Sequence, residues 1–172
     1  MLRVLAAVLL AAVLAGCADA PVANPDAGFV AAMVPHHEQA LELTAMIGGR
    51  GASPGLEAVA LRIDRAQVEE IGQMQGLALS RGLPAGPMEH HHMPGMADPG
   101  TLQTLSTLRG PAFERLWLDT MIRHHEGAVT MANDYLAAGT DDTLRRFAQV
   151  TVASQSSEIS TMDRLRTSIA GS

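Results

Sequence analysis

A chain of 172 residues with one cysteine, no lysine and no apolar run long enough to cross a bilayer excludes several classes of protein before any motif is considered. Cys17 has no second cysteine to pair with, so the folded part carries no internal disulfide, no thiolate zinc site and no buried catalytic thiol. A bound metal would be held by His, Met or carboxylate. Positive charge comes from 12 Arg alone against 18 Asp and Glu, a formal net charge of −6 at pH 7, with no basic block. Nucleic acid is therefore not an expected partner. No convincing run of alternating β-branched residues appears, which argues against a sheet, and no His-Glu-x-x-His or phosphate-cradling glycine-rich loop is found.

The chain opens with one positive charge at Arg3, an apolar run of about a dozen residues and then Leu14-Ala15-Gly16-Cys17. That is the pattern of a secretory signal rather than of a spanning helix. Leu-Ala-Gly-Cys resembles a bacterial lipobox, which implies cleavage before Cys17 and diacylglycerol on its sulfur; the plainer alternative is an ordinary signal with an incidental cysteine. The expected organisation is a signal over 1–17, a short Ala/Pro/Asn/Asp tether over 18–25 and one domain over 26–172, long enough to bury a core without staples.

Four helices are expected in that domain. The first runs from about Asp26 to Ile47 and is ended by Gly48-Gly49. The second starts at Ser53-Pro54, a cap followed by proline at the first helical position, and ends before Gly82. A short helical piece near Leu102 to Leu108 precedes a third helix that starts around Pro111 and ends before Gly139. The fourth opens at Thr140-Asp141-Asp142 and reaches about Ile169. The third and fourth repeat the first and second at a constant offset of 88 residues, the separation of His36 and His124. Glu114 falls on Asp26, Trp117 on Phe29, Met121 on Met33, His125 on His37, Gln155 on Gln67, Glu158 on Glu70 and Met162 on Met74. Repeat 1 (26–82) and repeat 2 (111–172) would each form a hairpin unable to bury its apolar stripe alone. Joined through the linker 83–110, they predict an all-α four-helix bundle with a pseudo-two-fold axis.

The stretches "FVAAMVPHHEQALELTAMI" and "RGPAFERLWLDTMIRHHEGAVTMA", with the paired "EEIGQM" and "SEISTM", resemble the bacterial domain-of-unknown-function family 305 over the whole of 26–172. The doubled Met-x-x-His-His is the most specific part. This resemblance implies a ferritin-like four-helix fold and, through some relatives, copper binding and copper tolerance outside the cytoplasm. The departures, Val34, Leu43 and Glu114 for the family's commoner Ile, Met and Asp, remove no histidine.

The seven histidines fall in three places: His36-His37, His124-His125 and the stretch Met88-Glu89-His90-His91-His92-Met93-Pro94-Gly95-Met96. On a helical wheel His36 and His37 flank the apolar stripe of Phe29, Met33, Ala40, Thr44 and Ile47, and His124 and His125 flank the matching stripe around Trp117. With Glu70, Met74, Glu158 and Met162 on the facing helices, each hairpin presents imidazole, carboxylate and thioether, a mixture suited to Cu(I) or Cu(II). Met33 and Met121, one turn before the histidine pairs, are the best-placed sulfurs. The competing possibility is a polar core layer in which the histidines donate to Glu70 and Glu158 and Met fills gaps. One side chain serves both if the Glu orients a metal-bound ring. The loop donors Met88, His90, His91, His92, Met93 and Met96 gain nothing structural in a solvated segment, and its glycines and prolines suggest mobility and metal capture. Asp26 and Glu114, in the first turns of their helices, fit carboxylates favoured by the helix dipole rather than ligands.

The expected function is therefore that of an extracytoplasmic, lipid-anchored copper-binding protein that sequesters the ion or exchanges it with a donor or acceptor protein. A di-iron or di-manganese oxidase is the enzymatic alternative, but two core Glu are too few and no Glu-x-x-His lies on the helices. A helical module whose histidine layer senses pH is the third. If Cys17 carries the anchor, a Cys17→Ser variant stays unprocessed or lacks lipid; intact-mass analysis of wild-type protein starting at Ala18 with no acyl group would contradict the anchor.

Overall fold

The computed structural model describes residues 24–83 and 93–170, and within them every regular element is a helix. These are α1 (Pro25–Ala45), α2 (Pro54–Arg81), α3 (Pro99–Thr107), α4 (Gly110–Ala138) and α5 (Asp142–Ala170). None of the described helices is long and apolar enough to cross a membrane. The caps follow the sequence signals closely. Ser53 accepts from the Leu56 amide at 3.3 Å with Pro54 behind it, and Gly82 closes α2 at φ 62, a left-handed angle that glycine adopts without strain. Helix α1 begins at the end of the expected tether, because Asn24 accepts from the Asp26 and Ala27 amides and Pro25 occupies the first turn.

The stretch Gly51-Ala52-Ser53-Pro54-Gly55 also has the Gly-x-Ser-x-Gly spacing of a hydrolase nucleophile elbow. Here it follows a turn rather than a strand, and the Ser53 hydroxyl serves as a cap.

Helix α1 packs on α2 and α4 on α5, and the two hairpins join through α1 on α4 and α2 on α5. The core falls into two apolar halves related by the repeat. One holds Leu43, Leu56, Ile63, Phe113, Trp117, Met121 and Met162; the other holds Phe29, Met33, Met74, Tyr135, Leu144 and Phe147. Repeat mates lie in opposite halves: Phe29 faces Trp117's position, Met33 that of Met121, Met74 that of Met162. The pseudo-two-fold axis thus exchanges the halves and runs between them.

Asp26 and Glu114 do more than complement their own helix dipoles, as the sequence suggested. Each ties down the turn of the opposite hairpin. Asp26 accepts from the Tyr135 hydroxyl (2.6 Å), the Thr140 amide (2.9 Å) and hydroxyl (2.8 Å) and the Asp141 amide (3.2 Å). Glu114 accepts from the amide of Ser53, the residue that matches Asp141 in the first repeat. Burial raises the Asp26 pKa, but the four donors outweigh it and hold the carboxyl at about 2, below its ordinary 3.8.

The stabilisation from Asp26 is therefore fully present above pH 3.8 and is lost as pH falls through about 2. Asp26→Ala strands a buried hydroxyl and several amides. At neutral pH it should lower unfolding free energy by about 2–4 kcal/mol, read by chemical denaturation.

Candidate metal centre

Between the two apolar halves lies a polar layer contributed by all four long helices. His36, His37, His124 and His125 are all essentially inaccessible to solvent. The imidazoles of His36 and His124 meet at the pseudo-axis with ring centroids 3.9 Å apart and planes inclined by 38°. His37 Nε2 lies 2.7 Å from Glu70 Oε2, and His125 Nε2 lies 2.9 Å from Glu158 Oε2, the same contact in each repeat. The sequence had the histidines flanking the seam; the structure buries them in it, because α1 and α4 face each other there. Glu70 and Glu158 keep a minor exposure of 14% and 22% and form the layer's outer edge. Glu70 also lines an open groove of about 440 Å³ between α2 and α5, with Glu69, Gln73, Arg146 and Phe147.

The predicted sulfurs Met33, Met74, Met121 and Met162 are fully buried, two in each apolar half. Met93 and Met96 are only half-buried and line a surface groove of about 240 Å³ with Gln39, Asp98 and Leu102. They are not part of the layer. Met88, His90, His91, His92 and Cys17 lie outside the described residues.

The segment from Met93 to Ala97 is not a free loop. The Gln39 side-chain amide donates to the Ala97 carbonyl at 3.0 Å and accepts from the Ala97 amide at 2.7 Å. His36 Nε2 donates to the Pro94 carbonyl at 3.0 Å. Gly127 on α4 lets the strap close: a Cβ there would stand 2.0 Å from the Pro94 carbonyl oxygen. Gly95, at φ 78, is confined in the same way: a Cβ there would stand 2.3 Å from the Arg123 carbonyl oxygen. The proline and glycine read as a source of mobility are what fit this segment to the bundle.

Sequence reasoning passed over several members of the layer. Gln67 and Gln155 are buried one turn before the two glutamates, and Thr120 and Thr151 are buried one turn before His124 and Gln155. The repeat had already paired the glutamines. Nine buried side-chain atoms of the described residues have no hydrogen-bond partner in the protein, and all belong to this layer. They are Nδ1 of His36, His37 and His125, both ring nitrogens of His124, the carbonyl oxygens of Gln67 and Gln155 and the hydroxyls of Thr120 and Thr151. Among the described residues no three His, Cys, Asp or Glu side chains form a group that could hold a metal ion as they stand.

Burial depresses the His36 pKa from 6.5 to about 4, with the Pro94 bond opposing and the neighbouring His37 and His125 assisting. Burial likewise pushes His124 well below 6.5, reinforced by His36, His125 and His37, while a marginal approach to the His36 backbone pulls weakly the other way. Both central rings are therefore neutral at pH 7, each with one nitrogen lone pair available.

A family profile described as Domain of unknown function (DUF305) matches residues 26–166. The fold is similar to that of a DUF305 protein from Streptomyces coelicolor described as secreted, at 33% identity and TM-score 0.79, covering 86% of this chain and 94% of that one. A DUF305 fragment from Deinococcus radiodurans is 36% identical with TM-score 0.76, covering 83% and 95%. CopM in its Cu(II)-bound form is 28% identical with TM-score 0.71, covering 83% and 96%, and CopM in a Cu(I)-bound form gives 0.68. No curated protein matches the chain.

Because His36 and His124 in the folded protein refuse protons that they accept in the unfolded chain below pH 6.5, unfolding free energy should rise with pH between about 4 and 6.5. Urea midpoints measured across that window on metal-free protein check the sign, and a flat series contradicts it.

Proposed function

The chain belongs to the DUF305 family, and from that premise we propose that it is an extracytoplasmic copper-binding protein that sequesters the ion or hands it on, with the histidine layer as its tightest site. The observation that carries this reading is the set of buried imidazole nitrogens without partners. A layer built only for structure would satisfy its buried polar atoms, since each left unpaired costs roughly 1–3 kcal/mol. Here three of the four rings donate from Nε2 to a carboxylate or a backbone carbonyl, and in the neutral ring that leaves Nδ1 with a bare lone pair. That is how a metal-ligating histidine is commonly held.

Among the described residues no three imidazoles or carboxylates form a group that could hold a metal, so the donor set of the layer draws on thioethers as well. Met33 and Met121 lie one turn before the histidine pairs and bring the soft sulfur that favours Cu(I). CopM, similar over most of its length, has been solved with copper and with silver bound, which supports the same choice of metal. Two edge carboxylates are a poor match for a carboxylate-rich di-metal oxidase, so we read the protein as a binder and not an enzyme. The lipobox-like Cys17 would tether it to the membrane outside the cytoplasm. The linker donors His90, His91 and His92, with Met88, Met93 and Met96, would capture copper for the bundle. The helix-borne donors are already placed, so little of their binding free energy is lost to ordering.

The test is a competition titration under reducing and oxidising conditions, with zinc and iron as rivals. Replacing His37 and His125 by Ala should abolish the tightest copper site. Replacing His90, His91 and His92 by Ala should lower stoichiometry and leave that site intact. If the layer is only structural, the His37/His125 variant instead melts lower with unchanged copper stoichiometry.

A further inference from the structure

The two repeats share Met33/Met121, His36/His124, His37/His125, Glu38/Glu126 and Ala40/Ala128 around the layer, and one of the positions at which they differ lies on its flank: Gln39 on α1 corresponds to Gly127 on α4. Both residues serve the same object. Gln39 grips the strap at Ala97 with two hydrogen bonds, and Gly127 removes the side chain that would strike Pro94. Between those two contacts the Pro94 carbonyl meets His36 Nε2. His124, the repeat mate of His36, makes no well-formed hydrogen bond through either nitrogen. The strap thus breaks the two-fold symmetry at the pair of central rings, His36 and His124.

We propose that Gln39 and Gly127 are positioning residues: they hold the strap so that its Pro94 carbonyl fixes His36 in the Nε2–H tautomer, presenting Nδ1 as a preformed copper donor, while His124 remains free to present either nitrogen. The proposal rests on the copper reading of the layer. The chemistry is a division between two rings that are otherwise equivalent. A carbonyl oxygen can only accept, so the hydrogen on Nε2 is dictated and the lone pair on Nδ1 follows. A fixed tautomer and ring plane raise affinity because neither has to be selected on binding, and loss of such a supporting partner commonly costs tenfold to a hundredfold in metal affinity. His37 and His125 receive the same service from Glu70 and Glu158. His36 receives it from a backbone group that must be carried to the site by a separate segment.

Gly127→Ala is the sharpest probe, because alanine is at least as good a helix former and its methyl falls on the Pro94 carbonyl. Gln39→Ala releases the other end of the strap without a collision, and serves if Gly127→Ala folds poorly. Nitrogen-15 correlation spectra of the histidine rings read the tautomers of the full chain directly, a signature that loss of stability alone does not move. Wild-type His36 should be in the Nε2–H form. In each variant His36 should become a tautomer mixture, with His37 and His125 unchanged, and the affinity for Cu(I) in chelator competition should fall about tenfold or more. A His36 that keeps the Nε2–H form in both variants, or that is Nδ1–H in the wild type, overturns the proposal. So does a tautomer change with no change in copper affinity. Wild-type protein that shows the Nε2–H form but binds no copper overturns the copper reading and leaves the clamp standing.

Discussion

Four imidazoles held out of water at the middle of a helical bundle are the constraint around which the rest of this structure is arranged. A buried polar ring is tolerated only if its nitrogens find partners or its protonated form is given up, and both occur here. His37 and His125 are met by carboxylates that approach from α2 and α5. His36 and His124 lie against each other at the axis with tilted planes and stay neutral because burial penalises charge. With the layer fixed, the apolar residues can close only above and below it, which is why the core is two clusters and not one.

The same arithmetic of duplication explains how the hairpins are locked together. Each hairpin supplies one carboxylate, Asp26 or Glu114, to the backbone at the opposite turn. The exchange is reciprocal, so neither hairpin can shift along the other without uncovering amides at both ends. Interlocking at the ends leaves the centre free to be polar: the stability comes from the apolar halves and the turn anchors, and the histidine layer can be chosen for its donor chemistry.

Symmetry is broken where the linker returns. A duplicated pair of hairpins would present two equivalent central rings, but only one linker joins them, and its strap can lie on one side only. Gly127 and Gln39 are the residues by which the sequence accommodates that, and their effect reaches His36 through a single carbonyl. The half-buried Met93 and Met96 travel on the same strap, at the surface and apart from the interior sulfurs.

Much of the fold could be read from the residues alone. Helix ends followed from Ser53-Pro54, Gly82 and Gly139, and the two-fold relation from the offset of 88, because capping and periodicity are local and a duplication is visible in one dimension. That the histidines could donate to Glu70 and Glu158 was also legible, since both repeats carry a glutamate at matching positions; that His37 and His125 are the ones that do so was not. What the sequence could not decide was which neighbours fill the space around each ring. That Asp26 serves the far turn, that His36 meets His124 and that a proline carbonyl 58 residues away accepts from His36 are contacts between separate segments. Helical period places a side chain on a face; only the packing of the hairpins and the path of the linker determine what that face meets, and so which imidazole nitrogens are left with a lone pair.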